Sequence, residues 1–359
     1  MNLENPKKFA MLVEQAKQVA DNFYRPISRK YDKAEHAYPK ELDMLASLLD
    51  GMNEGSSEAT GATSASKRPS SDGDTGVRNS GNLSAALGAM ELCRGDVGLL
   101  LSIPRQGLGN AAIGAVANDE QLARFKGKWA AMAITEPSCG SDSAAIRTTA
   151  VKDGDDYILN GEKIYVTAGA RAECVVVWAT LDKSLGKAAI KSFVVEHGTP
   201  GMEITRLEHK LGIKASDTAA ILFTNCRVPA ANLLGSPEID LKKGFAGVME
   251  TFDNTRPLVA AMAVGVAAAS IERLKELLAG HIDANYGTLP LNASHAEATL
   301  YRLEAEWEAA RLLTLKAAWM ADNKRPNSKE ASICKAKAGR VANEVTLKCV
   351  ELAASLGYG

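Results

Sequence analysis

Hydrophobic positions along the chain fall into two textures. Leu42, Leu45, Leu48, Leu49 and Met52 recur at three- and four-residue steps, and residues 84–101 repeat the pattern, so the first part reads as helical to about residue 128. Residues 53–82 break it. They are rich in Ser, Gly, Thr and charge, with Val77 their only large apolar residue, and this composition predicts a mobile insert. From about 129 to 235 the apolar runs shorten to β-prone stretches at 145–152, 157–159, 174–180, 190–195 and 219–223. Turn signals stand among them at Asp153-Gly154-Asp155, Asn160-Gly161 and Pro200-Gly201. Helical texture returns after about 240. The alanine-rich stretch 262–278 ends near Gly280, a C-cap residue type, and patterns at 300–320 and 328–356 follow, the second after Pro326. The expectation is an α+β chain. It has an N-terminal helical domain over 1–128, a middle antiparallel β domain over 129–238, and a C-terminal helical bundle over 239–359.

Composition narrows the function. The 42 basic and 43 acidic residues balance to a net charge of −1, which excludes the basic excess of a nucleic-acid binder. No apolar run reads as long enough to span a membrane, and residues 1–24 mix apolar with charged positions, unlike a secretory signal, so a cytoplasmic location is expected. Cys93, Cys139, Cys174, Cys226, Cys334 and Cys349 form no C-x-x-C pair and read as small buried hydrophobes in a reducing compartment. The five histidines are scattered without H-E-x-x-H, and no metal site is expected.

Gly107-Leu108-Gly109-Asn110-Ala111-Ala112 matches a relaxed dinucleotide fingerprint, but no strand precedes it, and close helix–helix packing is the better reading. The segment from Met132 through Ile134, Thr135, Glu136, Pro137, Ser138, Cys139, Gly140 and Ser141 to Asp142 is richer. Pro137 and Gly140 end a strand and expose backbone N–H groups beside hydroxyls, so the turn either receives a phosphate or polar ring edge or is an ordinary tight turn. Asn160-Gly161-Glu162-Lys163-Ile164-Tyr165-Val166-Thr167 sets Tyr165 and Thr167 on one side of a strand. Lys210-Leu211-Gly212, Ser216-Asp217-Thr218 and Phe252-Asp253-Asn254-Thr255-Arg256-Pro257 follow.

Taken together, T-E-P-x-x-G-S-D, N-G-x-K-x-Y-V-T, the S-D-T turn and F-D-x-T-R-P, in this order from about Asn82 to Gly359, resemble the acyl-CoA dehydrogenases. The resemblance implies a helical domain, a β domain and a C-terminal four-helix bundle. It implies FAD, with Met132, Ile134 and Thr135 at the pyrimidine edge of the ring, Tyr165 and Thr167 on its other side, and Gly140, Ser141, Val166, Gly357 and Gly359 among the cofactor contacts. Ser141, Phe252, Asp253 and Arg256 are implied to bind the acyl-CoA. Arg256 has a second reading as an intrahelical partner of Asp253. The implied reaction is α,β-dehydrogenation of the thioester to a trans-2-enoyl-CoA, with electrons leaving through an electron-transfer flavoprotein.

The chain departs from the family pattern in three places. The family's base stands either at the position of Thr255, which is not acidic, or in a tail beyond Leu356-Gly357-Tyr358-Gly359; no matching glutamate occurs, and neither Glu250 nor Asp253 occupies a base position. Where R-x-x-F-G is usual the chain has Asp283-Ala284-Asn285-Tyr286-Gly287, and Ser294-His295 stands where glutamine is expected. The 53–82 insert is the third. A homotetramer, or a heterotetramer with a related subunit, is therefore expected. The alternatives are a non-catalytic or half-site subunit and an acyl-CoA oxidase.

Overall fold

Cys174-Val175-Val176-Val177-Trp178-Ala179-Thr180 is a β-branched run in which every residue is buried, and it forms β4 (Cys174–Thr180) of a seven-stranded sheet. Its alternate side chains serve two cores: Val175, Val177 and Ala179 pack with Leu159, Phe193 and Ile221, while Cys174 and Val176 pack with Ala112, Ile113 and Leu234. A strand covered on both faces reads as a continuous apolar run, which is why this element is so plain in the sequence.

The computed structural model describes residues 5–47, 79, 81–105, 107–240, 246–281 and 293–358, with side chains throughout except at 246–252, 254 and 357–358. Most of the expected insert at 53–82, the stretch 283–287 and Gly359 lie outside these residues. Contacts group the chain into two units, one of Met1–Ser28, Gly73–Leu100 and Asp253–Gly359, the other of Arg29–Asp72 and Leu101–Phe252.

The sheet belongs to the second unit. Its remaining strands are β1 (Ala130–Ala133), β2 (Thr149–Asp153), β3 (Asp156–Thr167), β5 (Ile190–Glu196), β6 (Met202–Leu207) and β7 (Thr218–Pro229). The order is β1-β4-β2-β3-β7-β6, with β5 also on β4. The antiparallel expectation holds for β2–β3, β3–β7, β4–β5 and β6–β7, but β1 runs parallel to β4, and β2 meets β4 in parallel at Thr149 and Thr180. The chain between β1 and β4 makes a loop and a hairpin, long enough for the crossover that a parallel pair needs. The strand expected at 145–152 begins only at Thr149, because the Arg147 and Thr148 N–H groups are spent on the Glu136 carboxylate, not on a ladder. β6 was not anticipated. Met-Glu-Ile-Thr-Arg-Leu lies on the sheet edge, where charge discourages further pairing and blurs the alternation.

The first unit is helical. α1 (Ala10–Val19) and α3 (Gly81–Gly95) pack with three long C-terminal helices, α7 (Ala246–Leu277), α8 (His295–Asp322) and α9 (Ser328–Ala353); α4 (Val97–Leu101) follows α3, and α2 (Arg25–Lys33) is divided between the two units at Ser28. So among the described residues the C-terminal region supplies three long helices, and α3, expected in the N-terminal domain, shares their core. Asp322 at the end of α8 accepts from Asn82 N (2.9 Å) and Leu83 N (3.1 Å), satisfying the first donors of α3. A Cβ on Gly265 would stand 2.2 Å from Met90 O, so α7 and α3 touch backbone to backbone there. The stretch Thr255–Leu277, with mean hydropathy 1.5, does meet the length and composition of a membrane span, against the sequence expectation. Ala260, Ala261, Val264, Ala267, Ile271 and Leu274 within it are buried in the helical core, which accounts for its apolarity. Ser294, where the family pattern differs, is the N-cap of α8: its Oγ accepts from Glu297 N (3.2 Å) and its own N donates to Glu297 Oε2 (2.7 Å).

Candidate active site on the β sheet

The turn after β1 is held by its own carboxylate. Glu136 N donates to Cys139 O (2.9 Å) and Cys139 N to Glu136 O (3.1 Å), closing the turn through Pro137 and Ser138. The Glu136 side chain points inward, 5 % exposed. It accepts from Arg147 N (2.7 Å), Thr148 N (2.9 Å), Thr148 Oγ1 (2.6 Å) and Lys163 Nζ (2.8 Å). Lys163 is fully buried and also donates to Ile134 O (3.0 Å), while Ile164 N donates to Thr135 O (2.9 Å). The two motif segments are thus bolted together. Burial pushes the Glu136 carboxyl upward, but the Lys163 charge and the four donors outweigh it and hold the group below the usual carboxylate range. Burial lowers Lys163 from its ordinary value, and the Glu136 charge opposes that without cancelling it.

This bolt positions Tyr165. Between Lys163 and Val166 the register of β3 on β7 shifts, a β-bulge, and within it Tyr165 takes φ 57° and is 62 % exposed. A bulky residue in the left-handed region is strained, and such strain concentrates at functional sites. Val166 turns into the core at 1 % exposed, and Thr167 is half-buried opposite Thr218. A second bolt secures the end of β3. Asp217 Oδ1 lies 3.3 Å from Arg171 Nε, Asp217 Oδ2 accepts from Ala170 N (2.9 Å), and Asp217 O accepts from Ala168 N (3.1 Å). The S-D-T turn is therefore a clamp on the 168–171 turn, where Ala168 takes φ 59°.

The sequence-predicted residues divide accordingly. Thr135 and Gly140 come together, and the Thr135 carbonyl is tied to Ile164, the residue before Tyr165: a Cβ on Gly140 would touch Thr135 Cγ2 at 3.7 Å. Ser141 follows, exposed. The side chains of Met132 and Ile134 instead pack with Ile146, Trp178 and Ile190, and that of Val166 with the sheet core; Met132 is half-buried, while Ile134 and Val166 are buried and offer a ligand their main chains. Glu136 and Lys163, quoted in the motifs but given no role there, are the residues that build the site. A buried acid and base, one in each motif, was the available signal. Gly107-Leu108-Gly109 opens α5 (Leu108–Val116), which α6 (Asp119–Arg124) follows, and a Cβ on Gly109 would stand 2.3 Å from Ala130 O, so the close packing is helix on strand instead of helix on helix.

On α7, within the helical unit, Arg256 Nη1 lies 2.8 Å from Asp253 Oδ1, the intrahelical pair. Asp253 also accepts from Ser328 Oγ, and its main-chain oxygen from Asn327 Nδ2 (3.4 Å). Arg256 and Lys335 put two cations on a cleft of about 500 Å³ with Val259, Ala263, Ser332 and Gly339. Thr255 is half-buried on the same helix. The Phe252 backbone is helical, and Gly357 lies in the 3-10 turn Ala354–Tyr358.

An exposed flat ring held on a strained bulge, beside a turn of hydroxyls and main-chain groups, is suited to receive a planar polar ring system. Two family models match the chain: acyl-CoA dehydrogenase, middle domain, over residues 131–226, and acyl-CoA dehydrogenase, C-terminal domain, over 242–359. The chain belongs to the acyl-CoA dehydrogenase family, whose members are FAD-dependent flavoprotein oxidoreductases. It is 31 % identical over 367 residues to the mitochondrial short-chain specific acyl-CoA dehydrogenase of Rattus norvegicus, covering 99 % of this chain and 83 % of that protein. Other curated relatives match over 63–65 % of this chain, and those matches span only 53–58 % of the relatives' length. Butyryl-CoA dehydrogenase from Megasphaera elsdenii superposes with a TM-score of 0.82 at 29 % identity, covering 100 % of this chain and 91 % of that one. A chain in a solved structure described as the electron transferring flavoprotein of Acidaminococcus fermentans, towards a mechanism of flavin-based electron bifurcation, gives 0.81 at 31 % identity, covering 100 % and 90 %.

Proposed function

We propose that this chain is the FAD-binding core of an enzyme that dehydrogenates an acyl-CoA thioester between its second and third carbons, passing electrons to an electron-transfer flavoprotein. Tyr165 carries the reading: a ring locked outward at positive φ has no structural use in a sheet, and it fits the flank of a flavin. FAD, when bound, supplies the hydride acceptor. Thr167 would hold and orient the ring, Ser141 would lie near the flavin pyrophosphate or the acyl-CoA chain, and the main chain at Met132, Ile134 and Thr135 would face the ring's pyrimidine edge. Gly140, Val166, Gly357 and Gly359 complete the proposed cofactor contacts. The Glu136–Lys163 and Asp217–Arg171 bolts keep these groups fixed, so that little reorganisation is needed when charge develops. Ser141, Phe252, Asp253 and Arg256 are proposed to meet the substrate, the Arg256 fork suiting a phosphate-bearing thioester. We also propose the three-part division 1–128, 129–238 and 239–359, a tetrameric assembly and a cytoplasmic location.

A second reading rests on Thr255. With no carboxylate at that helix position, the proton on the carbon beside the thioester carbonyl must go to a base elsewhere, which a related subunit can supply. Purified protein that carries flavin and bleaches on adding acyl-CoA without oxygen supports the first reading. Flavin that bleaches only after a partner chain is added supports the second. Peroxide release in air identifies an oxidase, and protein that retains no FAD refutes the core proposal.

A further inference from the structure

The loop after α2 meets the segment after β6. Glu35 Oε1 accepts from Lys210 N (2.9 Å), which leaves Oε2 to face His209 Nδ1 at 3.0 Å. The His36 and His209 rings lie 5.3 Å apart between centroids. His36 takes φ 67°, and both of its ring nitrogens are buried with no hydrogen-bond partner in the structure. Two unpaired buried nitrogens on a strained residue are costly unless something binds them. One donor atom from each of Glu35, His36 and His209 falls within 4.8 Å of the others.

We propose that Glu35, His36 and His209 form a site for one divalent transition-metal ion of the zinc type. Two imidazoles and a carboxylate, with water completing the shell, are a common zinc donor set. Ligand atoms each about 2.0–2.1 Å from a tetrahedral zinc ion stand roughly 3.3 Å apart. The Glu35–His209 spacing of 3.0 Å is close to that already. His209, whose side chain is 85 % exposed, is free to swing the remaining distance toward His36. The ion takes the place of the Glu35–His209 contact and gives the buried His36 nitrogens a partner.

The surroundings favour a fixed site. Arg171 Nη2 donates to Ala37 O (2.9 Å) and His36 O (3.3 Å), anchoring the loop. The Lys210 ammonium is turned away to Ser216 O and Thr218 Oγ1. The Lys214 charge, felt at Glu35, opposes an incoming cation and limits affinity. Bound metal would staple residues 35–37 to the strand end that leads into the S-D-T clamp.

The test is calorimetric titration of the chelator-treated full chain with zinc chloride, with cobalt(II) absorption as a second readout. One ion per chain is expected, with a cobalt spectrum of nitrogen and oxygen ligation free of thiolate charge transfer. His209→Ala and Glu35→Gln should each weaken zinc binding at least about tenfold. His209→Ala should also abolish any zinc-induced rise in melting temperature while leaving the metal-free value unchanged, since the side chain is exposed. Absence of zinc binding, equal affinity in wild type and His209→Ala, or a thiolate cobalt spectrum would overturn the proposal.

Discussion

Lys163 Nζ and Glu136 Oε1 stand 2.8 Å apart in the interior of the β unit, 27 residues apart in sequence. Both are buried, and together they tie the turn after β1 to β3 and to the Arg147 and Thr148 amides. Removing one partner leaves a buried charge. Lys163→Met and Glu136→Leu singly should cost about 3–5 kcal/mol in urea unfolding, and the double variant should recover much of that. Additive losses would show that the pair is not coupled.

The same pair sets an acid limit. Because Glu136 is held below its ordinary range, the folded state binds fewer protons than the unfolded one. Its contribution is full above the unfolded glutamate value of about 4.3 and is lost as pH falls through the folded value. Melting temperature against pH should fall below about pH 4.3 in the wild type. The fall should be shallower in Glu136→Gln, which has no carboxylate to titrate.

Tyr165 should separate stability from cofactor retention. Glycine relieves the left-handed backbone, and the exposed ring contributes little packing. Tyr165→Gly should unfold no more easily than wild type, with a gain of up to about 1 kcal/mol, while its flavin content after gel filtration drops. Tyr165→Trp should retain flavin. A Tyr165→Gly protein with full flavin would refute the ring's role.

For Arg256 the intrahelical pair and the substrate role predict different kinetics. Arg256→Gln should raise KM for acyl-CoA about tenfold, equivalent to about 1.4 kcal/mol. Thermal unfolding should change less than KM, since an i, i+3 pair in an isolated helix is worth only about 0.2–0.5 kcal/mol. Equal KM values would refute the substrate role of Arg256.

Gly109→Ala should be among the most damaging single-methyl changes in the chain. Its Cβ would stand 2.3 Å from the Ala130 carbonyl, and backbone cannot step aside as a side chain can. A loss of about 1–3 kcal/mol or more is expected in denaturant unfolding. Gly140→Ala, where the nearest atom is Thr135 Cγ2 at 3.7 Å, should be nearly neutral to stability and serves as the control.

What the sequence settled by itself were the features written in local order. β4 is legible because a doubly covered strand must be apolar throughout, and α7 to α9 because helix periodicity runs on for many turns. The motifs were legible as motifs, and four in series sufficed for the family. Tertiary structure alone decided the rest, because those features depend on groups far apart in the chain. It made β1 parallel to β4, spent the Arg147 and Thr148 amides on Glu136, and turned Val166 inward while a bulge turned Tyr165 out. It also brought Glu35 and His36 to His209 across more than 170 residues, with His209 Nδ1 on Glu35 at a separation of 174. A side chain's partner is a matter of distance in space, and sequence reports distance only along the chain.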